Sequence, residues 1–166
     1  MLSLNAPIPG RVARLAADLH PELVAFDEIR EHHSLLVKRL GDPDHLPPVQ
    51  HEVRRALAGA PTFEVGVTGI DYFPNPPMGA APVVYLSVES PGLREVHGRL
   101  VDEFGAVDGL EDGAYTPHVT LARGGDEAAA ERLTERDVEP VTWTVTELRF
   151  RDARYGETVS TVSLPA

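Results

Sequence analysis

Tyr115-Thr-Pro-His-Val-Thr-Leu-Ala-Arg123 is the stretch on which the fold is decided. Pro117 fixes its own φ and biases Thr116 towards an extended backbone. From His118 to Leu121 polar and apolar side chains alternate. That spacing predicts a short strand, with His118 and Thr120 on one face and Val119 and Leu121 turned to a core. A face given over to an imidazole and a hydroxyl suggests a partner elsewhere. His32-His-Ser-Leu35, half a chain away, again sets a His and a hydroxyl residue two apart and follows them with leucine. Of the seven histidines, only His32 and His118 open a His-x-Ser/Thr pattern.

Outward from these two stretches, the order of elements repeats. Val12, Leu15, Ala16 and Leu19 recur at helical spacing, predicting a helix over 10–20 that Pro21 ends or bends. Leu2 to Leu4 and Leu23 to Phe26 read as extended pieces, and His32 to Arg39 as a strand. Pro47 and Pro48 suit the first turn of a helix that runs to Gly59. The alternation from Thr62 to Phe73 predicts a strand with a bulge near its glycines. Residues 74–82 form a Pro-rich loop, and Val83 to Val88 is the most apolar strand, hence a central one. Ser90-Pro91 caps a helix over 91–104 that Gly105 closes. An acidic loop at 108–113 then leads into the His118 strand. A helix over 126–136 follows, then a long strand over 141–151, a turn at Tyr155-Gly-Glu and a returning strand over 158–164. Each half is thus a helix, a His-x-Ser/Thr strand, a second helix and a long strand. Two such units related by a pseudo-two-fold would bring the two histidines face to face in one groove.

Composition bounds the rest. The 166 residues form one domain in this reading, 42% hydrophobic and 25% charged. No apolar run reaches membrane-spanning length, and the N-terminus lacks a basic start followed by an apolar stretch. There is no cysteine, which removes thiol nucleophiles and thiolate metal sites and accords with a cytoplasmic location. With a net charge of −11 the chain is unsuited to wrapping long nucleic acid, while a small nucleotide or an RNA end needs only a local basic site. Nothing in the chain calls for an obligate protein partner, and it reads as a monomer.

Two imidazoles across a groove suit phosphodiester chemistry. One, neutral, takes a proton from water or a hydroxyl; the other, protonated, gives one to the leaving oxygen. Ser34 and Thr120 share the faces of their histidines and can donate to the non-bridging phosphate oxygens. No carboxylate or cysteine stands at ligand spacing beside His32, His33 and His118, so no metal site and no cofactor are expected. His33 has the wrong parity for the groove, and His20, His45, His51 and His97 read as solvated. Lys38 shares the parity of His32 and Ser34, whereas Arg123 has the parity opposite to His118; each is a candidate phosphate ligand or a solvated rim charge. Tyr115 and Tyr155 are candidates to stack on a base, or ordinary half-buried tyrosines.

Pro117-His-Val-Thr-Leu-Ala-Arg123 and His32-His-Ser-Leu35 resemble the two signature motifs of the two-histidine (2H) phosphoesterase superfamily. Within it the likeness is to the group of bacterial and archaeal 2′-5′ RNA ligases and RNA 2′,3′-cyclic phosphodiesterases. Ser34 stands where threonine is commoner. The resemblance implies an α+β fold of two lobes, with two largely antiparallel sheets around a central groove and helices packed outside. It implies metal-independent opening of a 2′,3′-cyclic phosphate on an RNA end or nucleotide, usually to a 2′-phosphate. It makes His32 and His118 the catalytic pair, with Ser34 and Thr120 as phosphate ligands. The alternative from the residues alone is a non-catalytic module that binds phosphorylated nucleotides or RNA ends.

Overall fold

In the computed structural model, which describes residues 1–166, the chain forms two antiparallel sheets. The four-stranded sheet runs in the order β3 (Leu35–Gly41), β1 (Leu2–Ala6), β8 (Glu147–Asp152) and β9 (Glu157–Ser163). The five-stranded sheet runs β2 (Glu28–Ile29), β6 (His118–Arg123), β5 (Val83–Glu89), β4 (Phe63–Phe73) and β7 (Val141–Val145). This is the α+β architecture expected from the sequence.

The two halves interlock. The first half supplies β1 and β3 to the four-stranded sheet but sends β4 into the other. The second half supplies β5 and β6 to the five-stranded sheet and sends β8 back. In the sheet order, β3, β1 and β8 therefore answer to β6, β5 and β4. The helices outside follow the same exchange. The helix α4 (Pro91–Phe104) packs on β3, and α5 (Glu127–Thr134) packs on β4. The other three are α1 (Gly10–Asp18), α2 (His20–Leu23) and α3 (Leu46–Ala56).

Local chemistry explains most boundaries. Ser90 accepts the Leu93 N–H at 3.1 Å and Asp126 accepts the Ala128 N–H at 3.0 Å, so α4 and α5 start on capped first turns. Gly105 ends α4 at φ 78°, a conformation open to glycine without strain. Val83, Val84, Tyr85 and Leu86 are all buried, as befits the middle strand of its sheet. The bulge in β4 falls at Thr68, where pairing with β5 skips from Val67 to Gly69. A single cluster of 34 buried hydrophobic residues runs through both sheets.

Three expectations are corrected. Leu23 to Phe26 is not extended, because the chain bends after α1 and continues as the short helix α2, with Pro21 in its first turn, where the fixed φ fits. The segment from Val141 to Arg151 is two strands. Its apolar alternation runs Val141, Trp143, Val145 and then changes phase to Leu148 and Phe150. The chain breaks at Thr146 and passes from one sheet to the other. Finally, β3 begins at Leu35, so both His32 and Ser34 precede the strand: His32 lies in a bend and Ser34 in the irregular segment that leads into β3.

Candidate active site

His118, at the head of β6, is held by its own neighbourhood. Its Nδ1 lies 2.7 Å from the Thr116 carbonyl. A carbonyl only accepts, so Nδ1 carries the proton and Nε2 keeps a lone pair. The ring packs edge-on against Phe73 at 5.1 Å and at a tilt against Tyr85, also at 5.1 Å. Burial lowers the pKa of His118; the hydrogen bond to Thr116 opposes this, and the charges of Arg39 and Arg123 add to it. The imidazole is therefore neutral near pH 7. Burial, with a further push from Asp71, raises the Tyr85 phenol to about 12, so it stays protonated.

His118 and Thr120 open onto a groove of about 980 Å³ that His32 and Ser34 also line. Thus the structure brings both motifs to one cavity. Arg30, Arg39, Arg123 and Arg151 stand on its walls against one carboxylate, Glu31. In a chain of net charge −11 this is a local basic site of the kind that suits a phosphate.

Register then separates the two motifs. On β6, Tyr85 faces Thr120 and Val84 faces Ala122, leaving Leu121 as a bulge. On β3, Asn5 faces Leu36 and Leu4 faces Lys38, leaving Val37 as a bulge. The bulges match, and so do the burial patterns of the five residues from Leu35 and from Val119. Leu36 is therefore the mate of Thr120, Arg39 the mate of Arg123, and Ser34 the mate of His118. The expected equivalence of His32 with His118 does not hold: His32 lies two residues upstream of Ser34, exposed, on the groove's rim.

The same bulges decide the fate of the candidate cations. Each moves the residues after it to the other face. Arg123, of the wrong parity in a straight strand, comes round to the groove; its Nη2 donates to the Met78 carbonyl at 3.0 Å. Lys38, of the right parity, is turned inside. It is 2% exposed, and its Nζ donates to Glu111 Oε1 at 2.7 Å. Lys38 is thus not a substrate ligand, and Arg39 takes the groove position instead. Burial pushes the Glu111 carboxyl up, but Lys38 and the N–H groups of Arg39 and Val107 outweigh it and hold it below the ordinary range.

Around that ion pair the loop before β6 is clamped to β3. The Tyr115 hydroxyl donates to the Leu36 carbonyl at 2.6 Å, and its ring stacks on His97 at 3.8 Å. Tyr115 borders the groove at 7% exposure, with its hydroxyl occupied and one ring face covered. His97 is buried, not solvated as expected. Its Nδ1–H donates to the Val37 carbonyl at 2.7 Å, and its Nε2 accepts the Asp112 N–H at 3.0 Å. Two adjoining motif strands are thereby fixed to one another. Tyr155 lies outside the groove, 69% exposed at the β8–β9 turn beside Arg154, and does not serve as a stacking platform there. His33 is half-buried and does not line the groove, and no three His, Asp or Glu side chains gather as metal ligands.

The model of the 2′-5′ RNA ligase superfamily matches residues 10–156. The chain belongs to that superfamily, one of the 2H phosphoesterases. TT0787 of Thermus thermophilus superposes with a TM-score of 0.70 at 20% identity, over 98% of this chain and 97% of that one. LigT of E. coli, complexed with 3′-AMP, gives 0.66 at 16% identity over 99% and 98%. Usb1 of Kluyveromyces marxianus gives 0.58 at 12% identity over 99% and 96%. At these identities the structures establish the common fold. No curated protein matches the sequence. A phosphodiester-acting enzyme is what membership supports, and no helix is long and apolar enough to cross a membrane.

Sequence reasoning missed Arg39, Arg151 and Phe73. For Arg39 a signal exists: aligning the halves on Leu35-Leu-Val-Lys-Arg39 and Val119-Thr-Leu-Ala-Arg123 superposes the two arginines, whereas aligning on the histidines hides it.

Proposed function

We propose that this groove hydrolyses the 2′,3′-cyclic phosphate of RNA ends or nucleotides, without a metal, and leaves a 2′-phosphate. The observation that carries the reading is His118, a neutral imidazole with Nδ1 tied to Thr116 and Nε2 free, in a groove lined by arginines. Nε2 takes a proton from water as the water oxygen bonds to phosphorus. The bond from phosphorus to the 3′-oxygen breaks, and His32 supplies the proton that this oxygen needs. Thr120 and Ser34 donate to the non-bridging oxygens, and Arg123, on the same strand as His118, offsets the charge that builds there. Positioned proton transfer of this kind accelerates reactions by roughly 10² to 10⁴.

A second reading is favoured by the register. With Ser34 and Leu36 in the places that answer to His118 and Thr120, the groove has one in-register histidine, as a module that binds phosphorylated ends would need no more. Incubating nucleoside 2′,3′-cyclic phosphates with the protein in EDTA, and resolving the 2′- and 3′-monophosphates, separates the two. Accumulation of 2′-monophosphate is expected. Tight binding with no product would favour the module.

A further inference from the structure

One row of side chains is left unused by that chemistry. Ser3 on β1 pairs with Arg39 on β3 to one side and with Arg151 on β8 to the other. Arg39, Ser3 and Arg151 thus stand abreast across the four-stranded sheet, and all line the groove. Adjacent strands lie about 4.8 Å apart, so two long cationic side chains rise roughly 10 Å from one another with a hydroxyl between them.

The row is built for an anion and holds none of the protein's own. Arg149 and Arg154, to either side of Arg151 in the chain, are engaged by Glu147 and Asp152. The guanidinium groups of Arg39 and Arg151 have no carboxylate, and the Arg39 backbone N–H alone contacts Glu111. Asn5, 7% exposed, donates to Ser3 Oγ at 2.8 Å, which leaves the Ser3 O–H to donate into the groove. The mated row of the other sheet is Arg123, Val83 and Phe73. There an aromatic ring and a valine stand where the first row has Arg151 and Ser3. The pseudo-two-fold therefore sets a row with one cation and two apolar side chains beside His118, and a row with two cations and a hydroxyl opposite it.

We propose that Arg39, Ser3 and Arg151 form a second phosphate subsite that holds the internucleotide phosphate next to the reacting end. The substrate is then an RNA end of two or more nucleotides in preference to a mononucleotide. Planar guanidinium forks match phosphate oxygens in pairs, and the row has no aromatic ring on which a base would stack instead. The inference rests on the reading that the reacting phosphate lies at His118.

Calorimetric binding of a 3′-phosphorylated ribodinucleotide, set beside the matching nucleoside 3′-monophosphate, tests it without turnover. The dinucleotide is expected to bind the wild-type protein at least about 10-fold more tightly. Arg151→Gln should weaken the dinucleotide roughly 10- to 100-fold, the range for one lost charge-assisted contact, and leave the monophosphate within about 3-fold. Arg39→Gln should act in the same direction. Equal affinity for the two ligands, or a parallel fall in both on substitution, overturns the subsite, as does failure of either ligand to bind. A dinucleotide preference in a protein that turns over no cyclic phosphate would uphold the subsite and sink the catalytic reading. Turnover of cyclic mononucleotides without a preference for length would do the reverse.

Discussion

His118 and Ser34 occupy mated positions in the two sheets, as do Thr120 and Leu36, and Ala122 and Lys38. The backbones agree down to the bulges at Leu121 and Val37, yet the side chains differ in kind. In the second half an imidazole and a hydroxyl face the groove, and a small apolar residue fills the interior behind them. In the first half a hydroxyl and a leucine face the groove, and the interior holds a buried ion pair. Hydrogen bonding between strands sets the pseudo-two-fold frame and is indifferent to what the side chains carry. The fold can therefore keep its symmetry while the chemistry concentrates on one side.

The difference can be broken most sharply at His118. His118→Ala should lower kcat/KM for a 2′,3′-cyclic phosphate by roughly 10² to 10⁴, whereas Ser34→Ala, at the mated place, should cost about 10-fold. A larger effect at Ser34 would invert the assignment. The interior difference is tested by stability. Lys38→Met leaves the Glu111 carboxylate buried with only backbone N–H partners, and should cost about 3–5 kcal/mol in urea unfolding. Adding Glu111→Gln should recover most of it, and a Lys38→Met protein as stable as wild type would show that the ion pair clamps nothing.

The offset of His32 can be sharpened by moving the histidine into register. His32→Ala should cost roughly 10²-fold in turnover, and Ser34→His added to it should restore at least about a tenth of the lost rate, because position 34 is the mate of 118. No loss from His32→Ala would make the first motif a bystander. An effect as small as that at Ser34 is expected at Thr120, where removing one donor to a charged oxygen with Thr120→Ala should lower kcat by about 10-fold with little change in KM.

The sequence carried most of the element order, the cap at Ser90, the helix start at Asp126, the central strand at Val83 and the bulge near Thr68, because each depends on neighbours a few residues away. It carried His118 and Thr120 for the same reason: the strand keeps one parity up to the bulge. What it did not carry is register across strands. Nothing local to Leu35-Leu-Val-Lys-Arg39 shows that Val37 lies opposite no residue of β1, and that single skip decides whether Lys38 or Arg39 meets the groove. Nor does local pattern show that Arg151 will arrive beside Ser3 from the far end of the chain. The phase change at Thr146 was present in the alternation, but only the second sheet gives the chain somewhere to go.

The pH dependence of kcat/KM for cyclic phosphate hydrolysis, measured in EDTA, tests the central role of His118 most directly. Burial lowers its pKa from the ordinary 6.5, so the neutral, proton-accepting form persists as pH falls past that value. Activity is predicted to survive EDTA, with an acidic limb centred below pH 6.5. Activity abolished by EDTA and restored by zinc or manganese, or an acidic limb centred above pH 6.5, would contradict that role.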